Sequence, residues 1–579
     1  MVNLDKEVMK KPIPSLYSCC LNNIITNNYD IHHHESLDSL PDHIVCDIYY
    51  KMYLKNSFYW LSYELSEYNV ISKVLRVKHT RSQFLKMFGD LKDFDPELDK
   101  FVVKQFEEAI SNSKPDDYCV IENGLRIGAF FSELGWYPIA HEILNMTEKY
   151  CLTLERNVHI LKKLLYLYHR RLFVESSYSL FTHAENTFQL ANKVIQELED
   201  LQTLPNLCGL YAIFAHLFVM RSEYNEAYKW AHKSITLLKS SMPTRMIIDV
   251  LRISSRACVF KRKFAHAALL IEQALCLAER KFKHDKNPIL ADILMDYGFY
   301  LLNTDRFEDS VKLYRKAVDI RLSMFGAKSL KVAFVKEDLA YAMYVHEYSS
   351  GDFTEAIKVI TESIDVLTDL VPKNHLALAS THRVKALILE EMAIDMRHQA
   401  NQETRDKFFI TAETLHKEAL DVSLEFFGKI NVHTAKHYGN LGRLYQSMNR
   451  YEQAEKMHLQ AIQIKEHLLG ADDYEVGLSL GHLASLYNFH MRRYRDAEKL
   501  YLRSIDISLK LFGETYSCLE YDYRGLIKVY TELEDIVKLE RFTDVIKDWK
   551  DRRKDMVVPK IPTTELSVQT IIQKFTAQC

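Results

Sequence analysis

The segment from His433 to Gly470 reads HTAKHYGNLGRLYQSMNRYEQAEKMHLQAIQIKEHLLG, and a second segment, LSLGHLASLYNFHMRRYRDAEKLYLRSIDISLKLFG, runs from Leu478 to Gly513. Matching positions in the two segments are 42 or 43 residues apart. A similar boundary at Gly326 lies 144 residues before Gly470, which leaves room for two further units between them. A constant spacing of this length indicates a protein built from stacked helical repeats.

Each unit places the same residue types in the same order. A small residue lies in the first half, an aromatic residue follows at the turn, and further small residues come three and ten positions after the aromatic. The first small residue and the turn aromatic of four units are Gly298 with Phe307, Ala340 with Phe353, Gly442 with Tyr451, and Ala484 with Tyr494. Apolar residues at i, i+3, i+4 and i+7 complete each half. The pattern predicts two closely packed helices in every unit.

The composition also favours helices. The 16 glycines and 12 prolines amount to just under 5% of the 579 residues, whereas about 12% is usual. Tight turns and phosphate-binding loops need these residues, so sheet-rich folds and glycine-loop nucleotide sites are disfavoured. The net charge of −3 gives no basic field of the kind that attracts nucleic acid. The longest apolar stretch, residues 207–220, is too short to cross a bilayer.

Motifs for catalysis are missing from the sequence. It contains no GxxxxGK[ST], HExxH or GxSxG motif, and each of these marks a common class of catalytic or nucleotide site. We therefore predict a non-catalytic protein without a metal ion or cofactor. The ten cysteines form no CxxC pair, and the N-terminus shows no apolar signal-peptide region. Both features indicate reduced thiols in a cytosolic or nuclear protein.

The repeats set the predicted domain organisation. Fainter units extend the pattern to eight or nine units between residues 118 and 547, which predicts one continuous solenoid. Residues 36–117 are predicted to form an N-terminal helical region, and residues 1–35 a flexible N-terminus. The tail at 548–579 contains two prolines and no repeat, so we expect it to be flexible as well. Residues 395–410 form a polar insertion within one unit.

The repeat resembles the tetratricopeptide repeat, a helix–turn–helix unit. The spacing of about 42 residues, with LLG or LFG at the end of a unit, is similar to the variant found in kinesin light chain. This resemblance implies an all-α, right-handed superhelical solenoid of helix pairs. It also implies that the first helix of each pair lines a concave groove that binds peptides.

Side chains beside the small residue of each first helix are the predicted groove residues. They are Asp296, Tyr297, Asp338, Lys436, Tyr438, Asn440, Arg443 and His482. An asparagine can both donate to and accept from the backbone of an extended peptide. Aspartates would pair with a basic side chain of the ligand, and arginine suits this role best because it binds carboxylates in a bidentate manner. Some of these residues could instead be ordinary helix-surface positions.

A second candidate site lies before the solenoid, in SLPDHIVCDIYY. Ser39 and Pro41 predict the start of a helix, with Ser39 as its cap. The helix resembles the elongin-binding box of cullin-RING substrate receptors, in which Ser39, Leu40, Ile44 and Ile48 would be the adaptor-binding residues. Ile44 stands where the family pattern has cysteine. The alternative is that this helix only caps the solenoid.

Longer strings such as SLPDHIVCDIYYKMY, DYGFYLLN and TAKHYGNLGRLYQSM resemble the tetratricopeptide substrate receptors of cullin-2 RING ubiquitin ligases. The resemblance implies binding to elongin B, elongin C, cullin-2 and its RING subunit, and recognition of C-terminal degrons of the type Arg-Xaa-Xaa-Gly. It further implies binding to the amyloid precursor protein tail and to microtubules. The expected locations are cytoplasm, nucleus and cytoskeleton, with peripheral membrane association. The alternative is a transport adaptor similar to kinesin light chain, which would need only the groove.

Overall fold

The computed structural model describes residues 15–27, 37, 39–114, 117–282, 287–347, 351–396, 402–554 and 564–577. Every regular element within these ranges is a helix, which confirms the all-α prediction. The chain divides into two compact units, the first ending at Arg156 and the second beginning at Asn157. The predicted boundary at residue 118 is therefore displaced, since the helix pair that begins there belongs to the first unit.

The first unit contains short helices followed by one long pair. Its helices are α1 (Leu16–Asn27), α2 (Asp42–Leu54), α3 (Phe58–Ser66), α4 (Tyr68–Val74), α5 (Arg81–Phe94), α6 (Leu98–Ser111), α7 (Tyr118–Leu134) and α8 (Tyr137–Thr153). Helix α1 corrects the prediction of a flexible N-terminus. The Lys51 ammonium group donates to the Ser18 carbonyl at 3.0 Å, and the Tyr17 hydroxyl donates to Asp47 at 2.6 Å, so α1 is fastened to α2. The rest of that prediction, residues 1–14 and 28–35, lies outside the described ranges.

The second unit is a run of helix pairs. The first helices are α9 (Val158–Ser177), α11 (Cys208–Met220), α13 (Thr244–Phe260), α15 (Pro288–Leu302), α17 (Leu330–Glu347), α19 (Leu376–Asp395), α21 (Val432–Ser447), α23 (Tyr474–Phe489) and α25 (Leu519–Glu532). Their partners are α10 (Phe181–Asp200), α12 (Tyr224–Thr236), α14 (Phe264–Lys281), α16 (Phe307–Phe325), α18 (Thr354–Leu370), α20 (Gln402–Phe427), α22 (Tyr451–Leu469), α24 (Tyr494–Phe512) and α26 (Ile536–Lys554). A last helix, α27 (Val568–Ala577), follows them.

The turn inside each pair has a recurrent backbone geometry. A residue with positive φ ends the first helix at Ser179, Ser222, Arg262, Asp305, Asn449, Arg492 and Glu534. At most of these turns the next amide donates back to the carbonyl five residues earlier, as Arg306 does to Leu301 at 3.0 Å. This closure is the Schellman type, in which glycine is the usual left-handed residue. None of these positions carries glycine, so the sequence does not mark the turn in the usual way.

The small residues of the first helices lie where the two helices touch. A Cβ atom added at Gly442 would lie 2.8 Å from the His458 ring, and one at Gly298 would lie 3.0 Å from the Tyr314 ring. Both rings belong to the second helix of the same pair and are buried. The close approach predicted from the sequence is therefore observed in these two units.

We expect Gly442→Ala to lower stability and Gly439→Ala, on the same helix, to raise it. The new methyl group at 442 must displace the buried His458 ring, and overpacking of this kind costs about 1–3 kcal/mol. At 439 the added Cβ meets only the Ala461 Cβ at 3.9 Å, so the gain in helix propensity, about 1 kcal/mol, remains. Thermal unfolding of both variants measures the difference, and equal shifts would contradict this packing account.

Contacts between distant helix pairs close the second unit on itself. His375 Nε2 lies 3.2 Å from the Tyr178 carbonyl, Asn431 donates to the Arg221 carbonyl at 3.2 Å, and the Ser517 amide donates to Asp305 at 3.1 Å. Each contact joins the start of a later first helix to the turn of an earlier pair. The partners are 197 to 212 residues apart, which corresponds to about five repeats per superhelical turn.

The predicted insertion and tail both take on structure. Helix α20 begins at Gln402, so residues 402–410 lengthen the second helix of their pair, and residues 397–401 lie outside the described ranges. Helix α27 falls within the tail that was predicted to be flexible, yet Ile571 and Phe575 are fully buried. The prediction is wrong for residues 564–577, whereas residues 555–563 and 578–579 are not described. Within the described ranges, no helix combines the length and apolar character needed to cross a membrane.

Candidate functional site

The first helices of the second unit carry polar side chains on one shared surface, here called the concave face. Its residues are Arg252, Arg256, Asp292, Asp296, Glu337, Asp338, Arg383, Lys436, Asn440, Arg443, Glu475 and His482. Ion pairs and hydrogen bonds connect neighbouring first helices across it, from α13 to α15, from α19 to α21 and from α21 to α23. The sequence register predicted this face on α15, α17, α21 and α23.

Asp296 lies on the concave face but is already neutralised. Its carboxylate accepts hydrogen bonds from Arg252 at 3.0 Å and Arg256 at 3.2 Å, and the residue is only 5% exposed. One turn earlier, burial alone would raise the pKa of Asp292, but Arg252 and Arg321 lower it to about 2. Two arginines of the chain itself thus occupy the Asp296 carboxylate, and its contact with a ligand arginine stays a prediction.

Two acids of the concave face, Asp338 and Glu337 on α17, form no ion pair with a lysine or arginine of the described residues. Within the described chain, the half-buried Asp338 carboxylate has no ion-pair or hydrogen-bond partner, and the Glu337 carboxylate accepts a hydrogen bond from the Ser380 hydroxyl. Burial raises the pKa of Asp338. Burial and the neighbouring Asp338 raise the pKa of Glu337 to about 7. Such shifts indicate a negative site that a bound cation would stabilise.

Arg383 on α19 is a positive charge that faces the acids Glu337 and Asp338. It packs over the Tyr341 ring, with its guanidinium carbon 5.1 Å from the ring centroid, and no described carboxylate forms an ion pair with it. Its charge nevertheless lowers the pKa of Glu337, so the two groups face a common region. An arginine held on an aromatic ring keeps all its donors available for an incoming anion.

The basic side chains predicted on α21 have partners within the chain. The Lys436 ammonium group lies 3.4 Å from Glu475, and Arg443 contacts Glu390 and Glu391 at 3.1 Å each. Asn440 lies one helical turn from both cations and is half-buried. Lys436 and Arg443 are thus neutralised cations that shape the concave face, and Asn440 keeps its predicted place between them.

The remaining predicted groove residues are aromatic. His482 is half-buried on the concave face and packs edge-on against Tyr521, and burial lowers its pKa well below the usual value, so it is neutral. Tyr438 is 7% exposed, and Tyr297 is 1% exposed and packs against Tyr300. With 1% of its surface exposed, the Tyr297 side chain is packed inside its helix pair and is not accessible to a ligand. The prediction for Tyr297 is wrong.

Sequence reasoning missed Glu337 and Arg383. Glu337 precedes the predicted Asp338 directly, but its importance depends on burial beside α19 and on the Ser380 hydroxyl. Arg383 lies three positions before Ala386, a fully buried small residue of α19. Extending the register of small residues to this helix would have identified the arginine.

The second candidate site lies on α2 in the first unit. The helix begins at Asp42 with Pro41 as its cap residue, so the predicted capping role of Ser39 is wrong. Leu40 and Ile44 are half-buried, whereas Ile48 is 2% exposed and belongs to the core of the unit. Of the predicted adaptor-binding residues, Ser39, Leu40 and Ile44 are accessible to a partner and Ile48 is not.

Helices α2 and α3 add further apolar surface in the same unit. Leu54, Tyr59 and Tyr63 are 63%, 69% and 55% exposed. Large apolar side chains exposed together indicate an interaction surface more often than isolated ones do.

The stacked helix pairs and their polar concave face define a tetratricopeptide repeat protein. Models of the tetratricopeptide repeat match residues 390–467 and 476–515. The chain is 40% identical to amyloid protein-binding protein 2 of Mus musculus over 570 residues, which covers 97% of this chain and 96% of the mouse protein. The Rattus norvegicus protein gives the same identity and coverage. The chain therefore belongs to the amyloid protein-binding protein 2 family.

The solved structures are less similar in sequence to this chain than the mouse and rat proteins are. The human IFIT1 dimer is 13% identical, with a TM-score of 0.41, and the match covers 80% of this chain and 95% of that one. The kinesin light chain TPR-like repeats of Podosopora anserina are 15% identical, with a TM-score of 0.28, and the match covers 39% of this chain and 98% of theirs.

Proposed function

We propose that this protein is the substrate-recognition subunit of a cullin-2 RING ubiquitin ligase, and that its concave face binds C-terminal degrons of the type Arg-Xaa-Xaa-Gly. The observation that carries the proposal is that two acids and an arginine on adjacent first helices form no ion pair within the described residues. Asp338 and Glu337 on α17 suit the degron arginine, and Arg383 on α19 suits the terminal carboxylate. The protein itself would supply no catalytic group.

The spacing of the two charged sites is compatible with such a peptide. Helices α17 and α19 are in contact, and packed helices have axes about 8–10 Å apart. From the arginine to the glycine of Arg-Xaa-Xaa-Gly, an extended chain spans about 10 Å. A glycine at the end suits a ligand whose backbone passes close to a helix, because it has no Cβ atom.

The first unit would dock elongin B and elongin C, and through them cullin-2 and its RING subunit. Its accessible apolar residues, Leu40 and Ile44 at the start of α2, support this role. We propose cytoplasm and nucleus as the sites of action.

We expect Leu40→Asp/Ile44→Asp to abolish co-purification of the chain with elongins B and C. Both side chains are half-buried rather than part of the closed core, so the charges would oppose an apolar interface without unfolding the helix. His43→Asp is the matched control, since His43 is exposed on the same turn. If neither variant changes co-purification, or if the wild type never binds the elongins, α2 is only a structural cap.

Affinity for an arginine-containing degron should rise between pH 6 and pH 8. Glu337 has a pKa of about 7, so it becomes charged over this range and then attracts the ligand arginine more strongly. Burial is the main cause of this pKa, and Asp338, Arg383 and Arg256 are the charged neighbours that contribute to it. An N-acetylated peptide without histidine keeps the ligand charge constant, and Glu337→Gln should remove the pH dependence. A dependence that persists in Glu337→Gln would show that another group is responsible.

A second candidate is an adaptor in protein transport that links the amyloid precursor protein tail to microtubules, with peripheral membrane association. The relatives bear the name amyloid protein-binding protein 2, and the repeat spacing is similar to that of kinesin light chain. Deletion of residues 1–60 separates the two proposals, since binding of a tail peptide would survive and ligase assembly would not.

A further inference from the structure

The C-terminal segment lies in a groove on the second helices, away from the residues that define the concave face. Helix α27 packs against α14, and Phe575 also reaches His232 of α12. These helices belong to the second and third pairs of the unit, whereas the segment follows the last pair. The groove therefore holds a piece of chain almost 300 residues away in sequence.

A buried glutamine binds the backbone of the segment in both directions. The Gln273 side-chain amide donates to the Thr564 carbonyl at 3.1 Å and accepts from the Leu566 amide at 2.7 Å. Gln273 is 3% exposed with the segment in place, so the segment replaces water as the partner of its amide. A side chain that makes both bonds recognises an extended backbone independently of its sequence.

Side-chain contacts then select a particular kind of peptide. Phe575 is fully buried, with its ring centroid 4.6 Å from that of His266 and 5.6 Å from that of His232. The Tyr228 hydroxyl lies 3.2 Å from Nδ1 of His266 and orients that ring. Four residues before Phe575, Ile571 is also fully buried and lies on the same side of the helix.

An ion pair also holds the extended part of the segment. Arg280 lies 2.9 Å from Glu565, the residue between the two that Gln273 contacts through their backbone. The groove thus recognises an extended backbone that contains an acidic residue, followed by a short helix with apolar residues four apart.

We propose that this groove is a peptide-binding site, separate from the concave face, whose ligand is the chain's own segment Thr564–Ala577. A ligand joined through residues 555–563 binds at high effective concentration, because the linker keeps it near the groove. Bound there, the segment ties the last helix pair to the second and third pairs. This segment, here called the strap, can leave the groove, and while it is bound it holds the superhelical turn closed.

The test uses a labelled synthetic peptide of residues 564–577 and two full-length variants. In Ile571→Asp/Phe575→Asp the strap should leave the groove, whereas Gln573→Asp/Thr576→Asp carries the same added charge at exposed positions and should keep it bound. We expect the peptide to bind the first variant saturably. Binding to the wild type and to the control should be at least tenfold weaker, because their own tails compete.

Two further measurements test the hydrogen bonds of Gln273 to the segment. Gln273→Ala in the Ile571→Asp/Phe575→Asp background should weaken peptide binding about tenfold, since two hydrogen bonds are lost. Gln273→Ala alone should raise hydrogen exchange at the Leu566 amide and in α27 even if the double variant folds poorly. Equal peptide binding to all chains, no binding to any, or unchanged exchange in Gln273→Ala would overturn the proposal.

Discussion

Replacing Glu337 and Asp338 with their amides, Glu337→Gln/Asp338→Asn, is expected to weaken binding of a peptide ending in Arg-Xaa-Xaa-Gly by about 100-fold. The peptide arginine would lose its charged acceptors, and hydrogen bonds to charged groups are worth about 1.5–3 kcal/mol each. Fold stability should not fall, because burial and mutual repulsion already disfavour these carboxylates. Fluorescence anisotropy with a labelled peptide at physiological salt gives the affinities.

The matched comparison changes the peptide as well as the protein. A peptide with alanine in place of arginine should bind the wild type weakly and should be almost insensitive to the double substitution. Glu362→Gln serves as the protein control, since Glu362 is a more exposed acid on the neighbouring α18 that pairs with Lys336. Equal losses for the arginine and alanine peptides would contradict recognition of arginine at this place.

Arg383→Gln is expected to weaken the same peptide by about tenfold to 50-fold. The guanidinium group is the cation of the concave face without a described ion-pair partner, and arginine binds a carboxylate through two parallel hydrogen bonds. The wild type should therefore prefer the free-acid peptide over its C-terminal amide. In Arg383→Gln this preference should disappear, which titrations with both forms of the peptide would measure.

Arg524→Gln provides the control for this substitution. Arg524 is 63% exposed and pairs with Glu520 on its own helix, so removing its charge should leave peptide affinity unchanged. Arg383→Lys should retain part of the affinity, because a lysine keeps the charge but not the bidentate geometry. A preference for the free acid that survives in Arg383→Gln would place the terminal carboxylate elsewhere.

The repeat spacing predicted the helix pairs and half of the residues that form the concave face. Asp338 and Asn440 lie where the register of small residues placed them, because position on a helix follows directly from sequence. Which side chains form ion pairs with one another does not follow from sequence alone. Asp296 is neutralised by Arg252 and Arg256, and both arginines come from α13, where the repeat pattern is too faint to align.

The tail shows a different limit of sequence reasoning. Its prolines and the lack of a repeat favoured flexibility, yet Ile571 and Phe575 form the apolar side of a short helix. An isolated helix of this length is marginal in water, so its stability depends on the groove around Gln273, which is far away in sequence. The closure of the superhelical turn at Asp305 is similar, because only the fold brings it to Ser517.

Hydrogen exchange of the full-length protein, with and without a saturating Arg-Xaa-Xaa-Gly peptide, tests the central claim most directly. It reports where a ligand protects the backbone. If the concave face binds the degron, protection should increase in α17 around Asp338 and in α19 around Arg383, and remain unchanged in the first unit. Protection confined to the second helices or to the first unit, with α17 and α19 unaffected, would contradict the account.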